Sequence, residues 1–196
     1  MTRHADHPIA PYLLARHSRV AVTDAPVSEA DVLSLLEAAR WAPSASNIQP
    51  WRFLYTLRGT PEFDAIFDGL APFNQNWAAK AGGWIVALSQ HEADDGKPQR
   101  WHAFDTGAAW LSISLQGAHL GLLTHALGGF DADKVRAALE IPANFTIQAV
   151  IVVGHPGKTE DLPEAIRGRD VPNQRHPLET RAAAGKFPTA WAPKPA

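Results

Sequence analysis

Residues 83–89, Gly-Trp-Ile-Val-Ala-Leu-Ser, hold no charge and no polar side chain before the closing serine. A strand that meets water on one face alternates apolar and polar residues, so one that is apolar throughout must be covered on both faces. This segment therefore requires a central strand with a layer of structure on either side. A chain of 196 residues suits one full-sized domain and can supply both layers. Trp84–Ser89 is read as the central strand, with Trp51–Leu57 (WRFLYTL) and Thr146–Val153 (TIQAVIVV) as two others.

The covering helices announce themselves by caps and periodicity. Ser28 is a good N-cap and Asp31 stands in the capping-box position, ahead of Val32, Leu35, Leu36 and Ala39 at i, i+3, i+4, i+7; Pro43 ends the run. Thr60-Pro61 opens a helix that presents Phe63, Ile66 and Phe67. Residues 69–79 read as a loop with a short helix near Trp77. The longest helix is expected over Trp101–His125, with a stripe of Phe104, Ala108, Leu111, Leu115, Ala118 and Leu122, broken at Leu127-Gly128-Gly129. Asp131 caps a last helix that runs to about Glu140. Helices interleaved with three or four strands indicate an α+β fold. So apolar a long helix points to a second subunit.

Composition excludes several functions. Eighteen Lys and Arg against 20 Asp and Glu give a net charge of -2, unlike a dedicated nucleic-acid binder. Zero cysteines exclude thiolate catalysis and Cys-ligated metal, and fit a reducing cytoplasm. The first residues show no signal-peptide core, and no apolar run approaches the ~20 residues of a membrane span. Walker, GxGxxG, HExxH and GxSxG motifs are absent. His119 and His125, six apart on the expected helix, face different ways, and no histidine spacing suits a metal.

What remains is a series of polar segments, each at a structural break. Arg16-His17-Ser18-Arg19 offers guanidinium groups and a hydroxyl suited to an anion such as phosphate. Pro43–Gln49 is a proline-bracketed loop with Ser44, Ser46, Asn47 and Gln49. Phe73-Asn74-Gln75-Asn76-Trp77 sets amides beside aromatics. Leu127-Gly128-Gly129 permits close backbone approach. Arg167, Arg169 and Arg175 follow near the C-terminus.

Taken in order, these pieces resemble the nitroreductase family of flavin enzymes. The likeness is greatest over Leu35–Phe53, LLEAARWAPSASNIQPWRF, and extends through Trp77, Asp105-Thr106-Gly107-Ala108-Ala109, Gly128-Gly129-Phe130-Asp131, Gly154-His155-Pro156 and Arg175-His176-Pro177-Leu178. The resemblance implies a nitroreductase-like fold, a central mixed or antiparallel sheet surrounded by helices, in a domain-exchanged homodimer with FMN at the interface. It implies an FMN-binding domain at 12–180, after an N-terminal extension at 1–11; the tail at 181–196 has no counterpart in the family, and wrapping of the partner subunit and disorder are its two readings. It implies ping-pong electron transfer from NADH or NADPH to a nitroaromatic, a quinone or a similar acceptor; the alternative is a flavin storage or sensing protein without turnover. Arg16, Ser18 and Arg175 would hold the FMN phosphate, with His17 alongside. Pro43, Ser44, Ala45 and Asn47 would come from the other subunit, Asn74 would meet the pyrimidine edge, and Leu127 and Gly128 would give backbone contacts. Phe73, Trp77, Trp101 and Phe104 are the candidate substrate-pocket wall. Val20 stands where the family usually has a basic residue near the flavin ring, and Arg19 is its candidate substitute.

Overall fold

The computed structural model describes residues 3–188. Four strands form one antiparallel sheet in the order β1-β2-β4-β3: β1 is Trp51–Leu57, β2 Gly83–Gln90, β3 Leu123–Leu127 and β4 Phe145–Gly154. The apolar segment is indeed central, and Gly83–Ser89 of β2 are all buried. Its side chains divide by parity. Trp84, Val86 and Leu88 join one core cluster, whereas Ile85 and Ala87 join another on the opposite face; β4 divides likewise, with Val150 and Val152 against Ile151 and Val153.

One layer holds α2 (Glu29–Arg40) and α5 (His102–His119). The other holds α3 (Pro61–Asp68), α4 (Pro72–Ala78) and α6 (Ala132–Ala138). Ser28 and Asp31 close the capping box on α2, and the Thr60 hydroxyl accepts from Phe63 N–H at the start of α3. The short α1 (Pro11–Ala15) lies against α5, and α7 (Glu164–Arg167) belongs to the C-terminal segment. Of the expected tail, 189–196 lie outside the described residues. No helix among the described residues is long and apolar enough to cross a membrane.

The helix expected over Trp101–His125 stops at His119, and β3 takes up its last residues. Gly121 adopts φ 72°, Leu122 N–H donates to Gly117 O at 2.8 Å and Gly121 N–H to Ala118 O at 3.3 Å. This is a Schellman stop, and glycine fills the left-handed position it needs. Leu122 thus leaves the stripe, and His125 sits on a strand.

The stripe itself faces outward. Asp105, Thr106, Ala109, Ile113, Ser114 and Gly117 are the buried positions of α5, while Phe104 is 76% and Leu111 46% exposed. The small residues on the inner side let the sheet come close: a Cβ on Gly117 would lie 2.6 Å from Thr124 Cγ2 of β3.

Asp170 joins the two ends of the fold. Its side chain is fully buried, yet it accepts hydrogen bonds from Val20 N–H and Ala21 N–H, both 2.8 Å, from the Thr159 hydroxyl at 2.6 Å, and from Arg19 at 2.5 Å. Burial alone raises a carboxyl pKa, but Arg19, the two amides and the hydroxyl together hold this one down at about 2, from 3.8. Because the folded value is depressed, the stabilisation is complete above the ordinary carboxylate pKa and fades as pH falls toward 2. Asp170→Ala, which leaves Arg19 and two amides without their acceptor, is expected to cost about 3–5 kcal/mol by urea denaturation at neutral pH. The gap from wild type should narrow in acid.

Candidate functional site

The N-terminal turn and the C-terminal segment meet at a basic pole. α1 ends at Arg16, whose guanidinium donates to Ser114 Oγ on α5 at 3.4 Å. Arg3 Nη1 donates to the carbonyls of Leu14 (2.9 Å) and Arg16 (2.5 Å), and Arg3 Nε to the carbonyl of Asn173 (3.0 Å). Arg175 donates to Asn173 Oδ1 at 2.9 Å. Burial lowers the Arg16 pKa, and the charges of Arg3 and Arg175 lower it further. No carboxylate pairs with any of the three among the described residues. Like charges gathered without a counter-ion make a place for an anion. Ser18 is half-buried beside this turn, and His17 bonds locally to the carbonyl of Ala15.

Arg19 leaves the predicted set. It is engaged by Asp170 and by the carbonyl of Gly157 at 2.9 Å, and Val20 is buried in the core. Arg19 is thus committed to Asp170 and Gly157 rather than free to stand in for a base at position 20.

The odd positions of β3 carry the next part. His125 donates from Nδ1 to the carbonyl of Arg19 at 2.7 Å, and its ring lies 5.0 Å from that of Trp77, tilted by 42°. Burial lowers its pKa despite that bond, and the charges of Arg16 and Arg169 lower it further, which favours the neutral imidazole. Arg169 lies over Phe73 at 4.4 Å. Asn74 Nδ2 donates to the carbonyl of Gly129 at 2.8 Å, so the amide loop and the glycine turn are joined directly. Leu127 is buried; Gly128 is exposed, and a Cβ there would meet only open space.

The serine loop lies elsewhere in the same chain. Ala45 N–H donates to Asp105 Oδ2 at 3.0 Å, in the first turn of α5, where the helix dipole favours a carboxylate. Ser44 Oγ accepts from Gln49 N–H at 3.0 Å, and Asn47 accepts from the Gln49 amide. Ser46, Asn47 and Gln49 have φ of 51°, 57° and 54°. Three left-handed non-glycine residues in four positions store backbone strain of about 1–3 kcal/mol each, a pattern that collects at binding sites. Asp105 and Ser114 are nine positions apart on α5, roughly 13–14 Å, so one chain's loop lies well away from its own basic pole.

Of the four expected pocket residues, Trp77 is corrected. It is 5% exposed and belongs to the core, where the α3–α4 layer needs its bulk; its Nε1 is buried without a partner. Phe73 is capped by Arg169. Trp101 and Phe104 are half or more exposed and meet edge to face at 6.3 Å. Trp101 lines a cavity of about 490 Å³ with Ala45, Ile48, Pro98, His102 and Asp105. Sequence reasoning missed Arg3, Asp105, Ser114 and Asp170 as supports of the site. Only Asp105, within its Asp-Thr-Gly-Ala-Ala run, carried a local signal.

Comparison with known proteins completes the description. The profile of the nitroreductase family matches residues 13–155. A solved oxidoreductase containing FMN superposes with a TM-score of 0.90 at 35% identity, covering 95% of this chain and 96% of the other. An NADH dehydrogenase from Thermus thermophilus is 29% identical over 79% of this chain and 84% of its own length. An Archaeoglobus fulgidus protein, provisionally named NADH dehydrogenase/NAD(P)H nitroreductase, is 28% identical over 78% of this chain and 88% of its own.

Asp105→Ala removes the acceptor that holds the serine loop. It is expected to cost about 1–3 kcal/mol and to speed amide exchange selectively in residues 43–50, which hydrogen-exchange mass spectrometry measures.

Proposed function

Because this chain belongs to the nitroreductase family, we propose that it is an FMN-dependent NAD(P)H oxidoreductase that delivers electrons to a nitroaromatic, a quinone or a similar electron-poor acceptor. The observation that carries the reading is the basic pole, where Arg16 and Arg175 have no acidic partner among the described residues and Arg3 clips the turn in place. A phosphate is the anion that two guanidinium groups and the Ser18 hydroxyl suit.

The remaining residues fit a flat ring beyond that phosphate. Gly128 leaves its surface open, Asn74 is fixed beside it, and His125 is neutral next to Trp77. FMN, when bound, supplies the two-electron chemistry. The protein anchors its phosphate through Arg16, Ser18 and Arg175, with His17 adjoining. Arg169, free of any carboxylate partner among the described residues, offers the ring side the positive charge that position 20 lacks. One face stays open, and the nicotinamide and the acceptor take turns on it, a ping-pong order. The cysteine-free chain suits a reducing cytoplasm.

The site is completed by a second copy of the chain. The outward stripe of α5 supplies an apolar face, and the displaced serine loop of each copy then reaches the basic pole of the other. Pro43, Ser44, Ala45 and Asn47 thus line the partner's flavin, within an FMN-binding domain at 12–180. An obligate pair of this kind buries more than about 2,000 Å².

The purified protein should be yellow and bleach anaerobically with NADH or NADPH; a colourless protein that refuses added FMN refutes the reading. Arg16→Ala should weaken FMN binding by about 10–100-fold in fluorescence titration, the worth of a charge-assisted hydrogen bond. Leu111→Arg should shift the mass seen by light scattering from two chains to one and lower the bound flavin with it.

A further inference from the structure

Resting on the oxidoreductase reading, we propose that His102 determines acceptor specificity: its Nε2–H donates a hydrogen bond to the oxygen of a quinone, nitro or carbonyl group in the cavity beside the serine loop. The assignment begins in the sheet. Between β2 and β4 the register slips at Ala87/Leu88, with Ala87 opposite Ala149 and Leu88 opposite Ile147, so Gln148 is the extra residue of a β-bulge. Bulges re-aim a side chain out of the regular alternation. Here the Gln148 amide donates to Ser89 Oγ at 2.8 Å. Ser89 is fully buried, and its oxygen lies 2.7 Å from His102 Nδ1.

These contacts fix the imidazole. Ser89 accepts from Gln148 and keeps its own O–H for His102 Nδ1. In the proposed arrangement that proton lies there, so that Nδ1 accepts and the ring proton of the neutral form sits on Nε2. Nδ1 faces the sheet, so Nε2, across the ring, faces outward to the cavity of about 490 Å³ that His102 lines with Ala45, Trp101 and Asp105. Burial, followed by the charge of His91, whose ring lies 6.0 Å away, lowers the His102 pKa and keeps the ring neutral.

The rest of the cavity matches an aromatic, oxygen-bearing ligand. Trp101 offers an exposed ring with Arg100 4.7 Å above it, while Asp105 is turned to Ala45 N–H and Lys97 to Asp95. His102 is thus a fixed neutral donor beside the apolar surface of Ala45, Ile48, Pro98 and Trp101, in a cavity whose rim also carries Gln99 and Arg100. It transfers no proton in this role; it selects and orients. A donor held in a fixed direction discriminates against an isostere that cannot accept from it.

The test needs no electron transfer. In protein carrying isotope-labelled histidine, long-range proton–nitrogen NMR should show His102 protonated at Nε2 and bare at Nδ1, and Ser89→Ala should abolish that single tautomer. Naphthoquinone added to the oxidised protein should shift the Nε2–H resonance and bind about 10-fold more tightly than naphthalene. His102→Phe should erase this preference, and His102→Gln, which keeps an N–H donor, should restore most of it. Protonation at Nδ1 in the wild type, or an undiminished quinone preference in His102→Phe, overturns the proposal. A protein that shows the tautomer and the preference yet takes up no FMN supports the donor assignment and refutes the redox reading.

Discussion

A single buried carboxylate holds this molecule's ends together. Asp170 is surrounded by apolar core and is tolerable there only because four residues donate to it: Arg19, Val20, Ala21 and Thr159. Two of these are consecutive backbone amides of the N-terminal turn, so the carboxylate fixes the path of the chain as well as its charge. Arg16 and Arg169 flank that junction in sequence, and the charges of both lower the His125 pKa. The basic pole is the outer surface of an inner electrostatic knot.

The second constraint is the inversion of α5. A helix normally turns its apolar stripe to its own core. Here the inner positions, Ile113 apart, are small or polar, and they do local work: Asp105 holds the serine loop, Ser114 meets Arg16, and Gly117 lets Thr124 approach. Phe104 and Leu111 are left on the outside. One helix thus supports the serine loop and the basic pole together while leaving large apolar side chains exposed.

Much of this was legible in the sequence because the signals were local. Ser28 with Asp31, Thr60 before Pro61, and the unbroken apolar run of β2 each named an element through neighbouring residues alone. The end of α5 was not legible, because Leu-Gly-Leu-Leu continues a helical stripe and glycine is only mildly unfavourable inside one; the strand in those residues forms because β4 offers it an edge. Arg19 and Asp170 are 151 positions apart, and an aspartate in a proline- and arginine-rich stretch looks like any solvated charge. Trp77 looked like a pocket wall because it follows the amides of Phe73-Asn74-Gln75-Asn76, yet helical geometry turns it inward. The Gln148–Ser89–His102 line depends on a one-residue bulge that no periodicity reveals.

The clip from Arg3 to Asn173 spans 170 positions, and the three guanidinium groups of the pole come from the first and last parts of the chain. During synthesis the sheet and most helices can emerge and pack while this pole does not yet exist. It closes only after residues 173–175 have left the ribosome and met the N-terminal turn. The pole is consequently a late feature of folding, assembled on a sheet that is already packed rather than guiding its formation.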